Sequence, residues 1–252
     1  YLGDMTGDGL TDIVRVDGGG VTYWPGRADG GWGDAAAMSP APAFDRNHEP
    51  LRLALVDIDG DGCADLVYVG PTSVTWWRNV GATRLAAPVT IANTPPASPG
   101  SYRIVDLLGS GTAGIHFQLP ELRPGQARQI FLNLSAGTQP YLLTDMTFGV
   151  AQSTHVTYRA STGFATAAAA PGRRWTPYHP FPIQCVARVD RTENGTGVTA
   201  GTTYAYHDAR YDPKTRAFLG FGQVDTTQLG DATCPSLRIE TVYHLGLDPS
   251  DP

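Results

Sequence analysis

The amino-acid sequence predicts an all-β fold, in which part of a β-propeller is followed by a separate region of antiparallel strands. The first observation is composition: the 252 residues include 30 glycines and 20 prolines, which suits many short strands joined by turns. The second is an acidic segment that returns about every 50 residues in the N-terminal half. The third is long period-2 alternation after residue 139, which is typical of antiparallel strands with one covered face.

The repeat is present in three copies. "DMTGDGLTDIVRV" begins at Asp4, "DIDGDGCADLVYV" at Asp57 and "DLLGSGTAGIHFQ" at Asp106. In the first two copies a Val-Thr pair, two aromatic residues and a glycine-containing turn follow. Repeats of this length with several short strands each are typical of propeller blades, and a closed ring needs about four to eight of them. Residues 1–138 are therefore predicted to form about two and a half blades.

Residues 139–252 form the second predicted region, because the repeat stops there. An Ala-rich segment from Phe164 is either a helical turn or a loop, and a proline-rich segment from Arg173 is predicted to be an irregular connector. The alternating segments of this region begin at Ser153, Pro182, Thr202, Phe221 and Leu237. They predict antiparallel strands of one sheet.

The second acidic segment has the spacing of a calcium-binding loop. Calcium prefers six to eight oxygen ligands, and an Asp-x-Asp-x-Asp-Gly loop wraps carboxylates around the ion. Asp57, Asp59 and Asp61 are the predicted side-chain ligands. Cys63 would contribute its backbone carbonyl, and Asp65 would close the site. A strand-like stretch follows, so the segment is predicted to be a short strand-associated loop and not an EF-hand.

The first acidic segment is predicted to bind calcium more weakly, and the third not at all. The corresponding positions of the first segment are Asp4, Thr6, Asp8, Leu10 and Asp12. Affinity for calcium rises with the number of charged ligands, and the third segment has Leu108 and Gly114 where the second has acids. The alternative is that these aspartates only cap turns, by accepting hydrogen bonds from nearby backbone amides.

Charge and motif content argue against several other functions. A formal net charge of −6 with 17% charged residues argues against nucleic-acid binding, which needs a clustered positive surface. No apolar run approaches the ~18 residues of a membrane span. The six histidines lack metal-ligand spacing, and no nucleophile elbow or phosphate-binding loop is present, so no catalytic residue is predicted. The three cysteines are predicted to be free thiols.

Two sets of segments resemble the B component of bacterial insecticidal toxin complexes and the related plasmid virulence protein B family. The first set is the acidic loops with "VTYWPG", which also resemble the FG-GAP and VCBS repeats of integrin-type propellers. The second set is more specific and includes "PYLLTDMTFGVAQSTHVTYRASTGF" and "RAFLGFGQVD". The resemblance covers most of the chain.

The resemblance implies a non-enzymatic component of a secreted bacterial toxin. Residues 1–138 would belong to a propeller that docks onto a pore-forming A-type component. Residues 139–252 would supply the first strands of a shell that this component builds with a C-type partner, from RHS-type Tyr-Asp repeats, around a toxic cargo. The chain, which opens on Tyr1, is accordingly expected to be a piece of a longer polypeptide.

The acidic loops alone leave two other functions open. One is a calcium-dependent, integrin-like adhesion module, and the other is a propeller enzyme whose catalytic residues lie outside these 252 residues. The region after Gln139 distinguishes the adhesion module from the toxin component, because an adhesion propeller would continue with further blades of about 50 residues.

Overall fold

The computed structural model describes residues 1–40, 42, 48–120, 128–135, 139–175 and 180–246. Within these residues the strands pair antiparallel in five sheets, so the all-β class predicted from the sequence is confirmed. The chain divides into two compact units. The N-terminal unit comprises Tyr1–Leu108 and Thr112–Pro140, and the C-terminal unit comprises Gly109–Gly111 and Tyr141–Pro252. The predicted boundary at 138/139 adjoins residues 136–138, which lie outside the described residues.

The N-terminal unit consists of three meandering sheets and one small hairpin. The first sheet has the order β1 (Leu2–Gly3), β2 (Asp12–Asp17), β3 (Gly20–Trp24), β4 (Ala36–Met38). The second contains β5 (Leu53–Val56), β6 (Asp65–Val69), β7 (Ser73–Trp77) and, after the hairpin β8 (Asn79–Val80) and β9 (Arg84–Leu85), β10 (Val89–Ala92). The third contains β11 (Tyr102–Val105), β12 (Gly114–Leu119) and β13 (Arg128–Asn133). The first two sheets have four antiparallel strands each, as the blades of propellers do, and the third has three among the described residues.

The second sheet of this unit has an apolar core on each face. Strand β6 is buried along nearly its whole length. Alternate residues of a strand point to opposite faces of its sheet, and both faces of this sheet are covered. Leu66 packs with Val14 and Val21 of the first sheet in one core. Val67 packs with Phe117 of the third sheet in the other. The two faces thus join three successive repeats through side-chain packing.

The C-terminal unit is built on one six-stranded antiparallel sheet. Its strands follow chain order: β14 (Asp145–Phe148), β15 (Gln152–Ala160), β16 (Gln184–Glu193), β17 (Thr199–Asp212), β18 (Ala217–Gln228) and β19 (Leu237–Val242). The last five correspond to the five alternating segments, whereas β14 was not predicted. In the part of the chain that the structure describes, no helix has the length and apolar character needed to cross a bilayer.

The Ala-rich segment forms a helix, α1 (Ser161–Ala169). Its Phe164 packs edge-on against Tyr206 of β17, with ring centroids 5.2 Å apart. This contact with the sheet is what a short helix needs, because isolated helices of this length are marginal in water. The proline-rich connector is irregular at residues 173–175, and its residues 176–179 lie outside the described residues.

Candidate functional site

Three of the predicted ligands lie together in the loop between β5 and β6. One carboxylate oxygen from each of Asp57, Asp59 and Asp61 lies within 4.8 Å of the others. Asp57 is half-buried, Asp59 is buried and Asp61 is exposed. Closely spaced carboxylates are the oxygen donors that a hard divalent cation such as calcium prefers. The donor set therefore fits calcium.

The loop is shaped by hydrogen bonds from its own backbone. Asp57 accepts bonds from the amides of Gly60 (2.6 Å) and Gly62 (2.9 Å), and Asp61 accepts one from Cys63 (2.8 Å). Gly62 has a φ of 93°, a left-handed conformation that favours glycine. Burial raises the pKa of the Asp57 carboxyl, while the two glycine amides act in the opposite direction. Because each carboxylate oxygen can accept more than one bond, turn capping and cation binding are compatible in this loop.

Asp65 is not part of the cluster of three carboxylates, and its role as the residue that closes the site stays a prediction. Its carboxylate is fully buried and accepts bonds from the amides of Ile58 (3.0 Å) and Asn79 (2.8 Å). Both oxygens are thus used to hold the start of the loop and the end of the next hairpin. Burial raises the pKa of Asp65 to about 7 in spite of these two amides. Asp65 is therefore an anchor of the repeat.

Asp12 holds the same position in the first repeat. It is fully buried and accepts bonds from the amides of Met5 (2.7 Å) and Gly26 (2.8 Å). The partners lie 7 and 14 residues away, the same separations as for Asp65. Asp12 is thus the anchor of the first repeat, and its role as a calcium ligand stays a prediction.

The remaining acids of the first loop cap turns. Asp4 accepts bonds from the amides of Gly7 (2.8 Å) and Gly9 (2.7 Å), and Asp8 accepts one from Leu10 (2.8 Å). Among the described residues, the acids of this loop do not form a cluster of three like that of the second loop. These bonds agree with the turn-capping alternative, and weaker calcium binding by the first loop stays a prediction.

The residue at the second acidic position of each loop accounts for the difference in carboxylate clustering between the loops. Asp59 stands there in the second repeat, Thr6 in the first and Leu108 in the third. Thr6 supplies a hydroxyl, which lies 3.4 Å from the Asp4 carboxylate, and so it adds no charge. Leu108 is exposed and offers no side-chain oxygen.

Neighbouring loops are joined by backbone hydrogen bonds. The amide of Ala64 donates to the carbonyl of Asp4 (2.6 Å), and the amide of Ala113 donates to that of Ile58 (3.2 Å). Cys63 is buried here, and burial together with the surrounding aspartates raises the pKa of its thiol to about 11. A thiol with this pKa stays protonated at neutral pH and is a poor nucleophile.

Asn79 is a structural residue of this region that sequence reasoning missed. Its buried side-chain amide donates to the carbonyls of Met5 (2.8 Å) and Ala64 (3.2 Å), so it fastens the first loop to the second. Gly26 holds the corresponding place in the first repeat, where its amide bonds to Asp12. Aligning the two repeats would have placed Asn79 opposite Gly26. Because one repeat has asparagine there and the other has glycine, the sequence does not mark the position as equivalent.

Two family models match the chain. The model described as the insecticide toxin TcdB middle/N-terminal region matches residues 79–246, and the FG-GAP-like repeat matches residues 4–68. The search of curated proteins finds no match.

Several solved structures resemble the fold. In the TcdB2–TccC3–Cdc42 structure, the matched chain is 26% identical with a TM-score of 0.85, and the match covers 98% of this chain and 12% of that one. A TcdB2–TccC3 structure matches at 25% identity and a TM-score of 0.80, with the same coverage of 98% and 12%. The Photorhabdus luminescens Tc holotoxin pore matches in fold at 24% identity and a TM-score of 0.85, over 98% of this chain and 12% of that one.

The present chain therefore spans 12% of the length of the chains that it matches in these structures. The family model, in contrast, covers well over half of the present chain, and its residues 79–246 include the hairpin after β7, the third sheet and the whole six-stranded sheet. This chain belongs to the family of the insecticide toxin TcdB middle/N-terminal region.

Proposed function

We propose that this chain is a non-enzymatic structural part of the B-type component of a secreted bacterial toxin complex. The C-terminal unit would form part of a β-shell wall, completed with a C-type partner, around a toxic cargo. The sheets of the N-terminal unit would belong to a propeller that docks onto a pore-forming A-type component. Family membership supports the proposal, and so does the similar protein TcdB2, whose structures include TccC3.

The observation that carries the shell proposal is the open edge of the six-stranded sheet. Strand β19 is the last strand of that sheet among the described residues, and five of its six residues are exposed. Ile239 and Val242 are apolar residues on this strand with 44% and 65% of their surface exposed. An apolar edge strand readily pairs with another strand. A shell wall would provide that strand, in the same sheet.

The same sheet disfavours the adhesion alternative. An integrin-like module would continue after Gln139 with further blades of short strands. The chain instead forms strands of 14 and 12 residues, β17 and β18, in a sheet with an uninterrupted order.

Placing a charge on the open edge is expected to reduce self-association of the chain. In Ile239→Lys, a lysine at the edge disfavours pairing with a second strand, because a charge would have to lose its water. We expect wild-type protein to form concentration-dependent oligomers in sedimentation velocity, and the variant to sediment mainly as monomer.

Leu51→Lys is the matched control for this experiment. Leu51 is 76% exposed and lies outside the strands, so the same substitution there should leave self-association unchanged. A wild-type chain that remains monomeric at all concentrations would argue against the shell-wall function.

We further propose that Asp57, Asp59 and Asp61 hold a structural calcium ion. The support is the cluster of three carboxylate oxygens within 4.8 Å of one another. The ion would neutralise part of their mutual repulsion and stiffen the turn between β5 and β6. It would take no part in a reaction.

Calcium is expected to raise the melting temperature of the wild-type chain but not that of Asp59→Asn. The amide keeps the shape of the side chain and removes one charged ligand, which weakens calcium binding. Because burial raises the pKa of Asp57, protons should compete with calcium at a higher pH than for an ordinary aspartate, so affinity should fall as the pH is lowered. Differential scanning calorimetry measures the melting temperatures, and calorimetric titration at two pH values measures the affinities.

Asp8→Asn in the first loop is the control, since Asp8 lies outside the cluster. It should bind calcium as the wild type does. Equal heats from the wild type and Asp59→Asn would leave the second loop with turn capping as its only function.

A further inference from the structure

A cleft of ≈ 520 Å³ opens beside α1 in the C-terminal unit. Its apolar wall includes Phe164 and Ala168 of α1, and its other wall includes Tyr206 and His207 of β17. The volume lies within the range of about 300–1,000 Å³ that is typical of ligand-binding clefts. No residue of the acidic loops is among the residues that line this cleft.

The cleft is positively charged although the chain as a whole is acidic. Arg159, Arg173 and Arg238 line it, and Asp225 is the sole carboxylate among its lining residues. The formal charge of the lining is therefore positive, against a net charge of −6 for the chain. A concave surface with guanidinium groups at its rim attracts anions.

The arginines retain capacity for a ligand. One terminal nitrogen of each is bonded: Arg159 to the Gly163 carbonyl (2.7 Å), Arg173 to Gln223 (2.7 Å) and Arg238 to Asp225 (2.8 Å). The same nitrogen of Arg173 also lies 3.5 Å from the carboxylate of Asp208. A guanidinium has five N–H donors, so these bonds leave others for a carboxylate. The side chains of Arg173 and Arg238 are 43% and 64% exposed, which leaves them accessible from solvent.

His207 adds a buried polar atom that lacks a partner in the described part of the chain. Its Nε2 lies 3.2 Å from Oδ2 of Asp225. Although burial raises the pKa of Asp225, bonds from Gln223, Arg238 and His207 lower it overall, so the carboxylate is ionised and Nε2 carries the proton. The buried Nδ1 has no hydrogen-bond partner within the described residues.

An unpaired buried polar atom is costly, so a ligand that pairs with Nδ1 is favoured. A peptide backbone supplies both N–H donors and C=O acceptors for this atom, and acidic side chains supply carboxylates for the arginines. Inorganic phosphate meets the charge requirement but has no aliphatic part to pack against the apolar wall. The aliphatic part of a glutamate also suits the wall of Phe164 and Ala168.

We propose that this cleft binds an acidic peptide segment, with its carboxylates on the arginine rim and a polar group of its backbone on Nδ1 of His207. The proposal is independent of the proposed shell function, because it rests on the charges and the volume of the cleft itself.

The test uses the 252-residue chain and a fluorescein-labelled tetraglutamate peptide, with labelled tetraglutamine as the neutral probe. Fluorescence polarisation should show tighter binding of tetraglutamate. Arg159→Gln and Arg173→Gln should each weaken it about fivefold or more, because each removes a charged hydrogen-bond donor. Arg191→Gln makes the same charge change on exposed Arg191 of β16, outside the cleft, and should leave the affinity unchanged.

Three results would overturn the proposal. They are equal binding of the two peptides, an equal loss in Arg191→Gln, and displacement of tetraglutamate by inorganic phosphate at concentrations at which chloride has no effect. The last result would identify a phosphate site. Circular dichroism verifies that the variants fold, and Arg159, an exposed side chain, decides the test if Arg173→Gln does not fold.

Discussion

Replacing Asp65 with alanine is expected to lower the free energy of unfolding by about 3 kcal/mol, because two buried amides lose their acceptor. Those amides belong to Ile58 and Asn79, and Asp65 itself has no exposed surface. Urea denaturation followed by circular dichroism measures the loss.

Asp29→Ala is the control for this change. Asp29 is exposed and caps a turn through the amide of Gly31, so its loss should cost well under about 1 kcal/mol. Asp12→Ala, at the same position of the first repeat, should cost about as much as Asp65→Ala. If Asp65→Ala were as mild as Asp29→Ala, the anchor role would be contradicted.

The effect of Asp65 on stability should also depend on pH. Its pKa is raised by burial to about 7, so the folded chain holds a proton that the unfolded chain releases at lower pH. This contribution is fully present below about pH 4 and is lost as the pH rises through about 7. The difference between wild type and Asp65→Ala should therefore be larger at about pH 5 than at about pH 8.

Restoring the missing acid of the third repeat, by Gly114→Asp, is expected to destabilise the chain by about 3 kcal/mol. Gly114 holds the position of Asp12 and Asp65, but β13 passes close to it. A Cβ at Gly114 would lie 2.7 Å from the carbonyl oxygen of Leu132 and would overlap the ring of Phe131. Since the former is backbone, strand pairing itself would have to shift. Thermal and urea denaturation both measure the loss.

Gly18→Ala provides the comparison. A Cβ at Gly18 meets no atom within 4 Å, so the substitution should be neutral or slightly stabilising. A Gly114→Asp variant as stable as the wild type would show that the third sheet can accept the anchor of the other two.

The sequence by itself determined the features that depend on near neighbours. Alternation placed five of the six strands of the C-terminal unit, and the repeat placed the three sheets of the N-terminal unit. The turn of the second loop was also predictable, because the amides that donate hydrogen bonds to Asp57 lie within five residues of it. Local hydrogen bonds and side-chain periodicity depend only on residues that are close together in the sequence.

Only the tertiary structure decided what the individual acids do. Asp61 and Asp65 look alike in the sequence, yet Asp61 is the exposed member of the cluster, whereas Asp65 is buried and accepts bonds from amides 7 and 14 residues away. The cleft is a stronger case, since Arg159, Arg173 and Arg238 come from three separate segments. Burial, and with it pKa and partner choice, depends on which strands pair and in what register, and no single stretch of sequence contains that information.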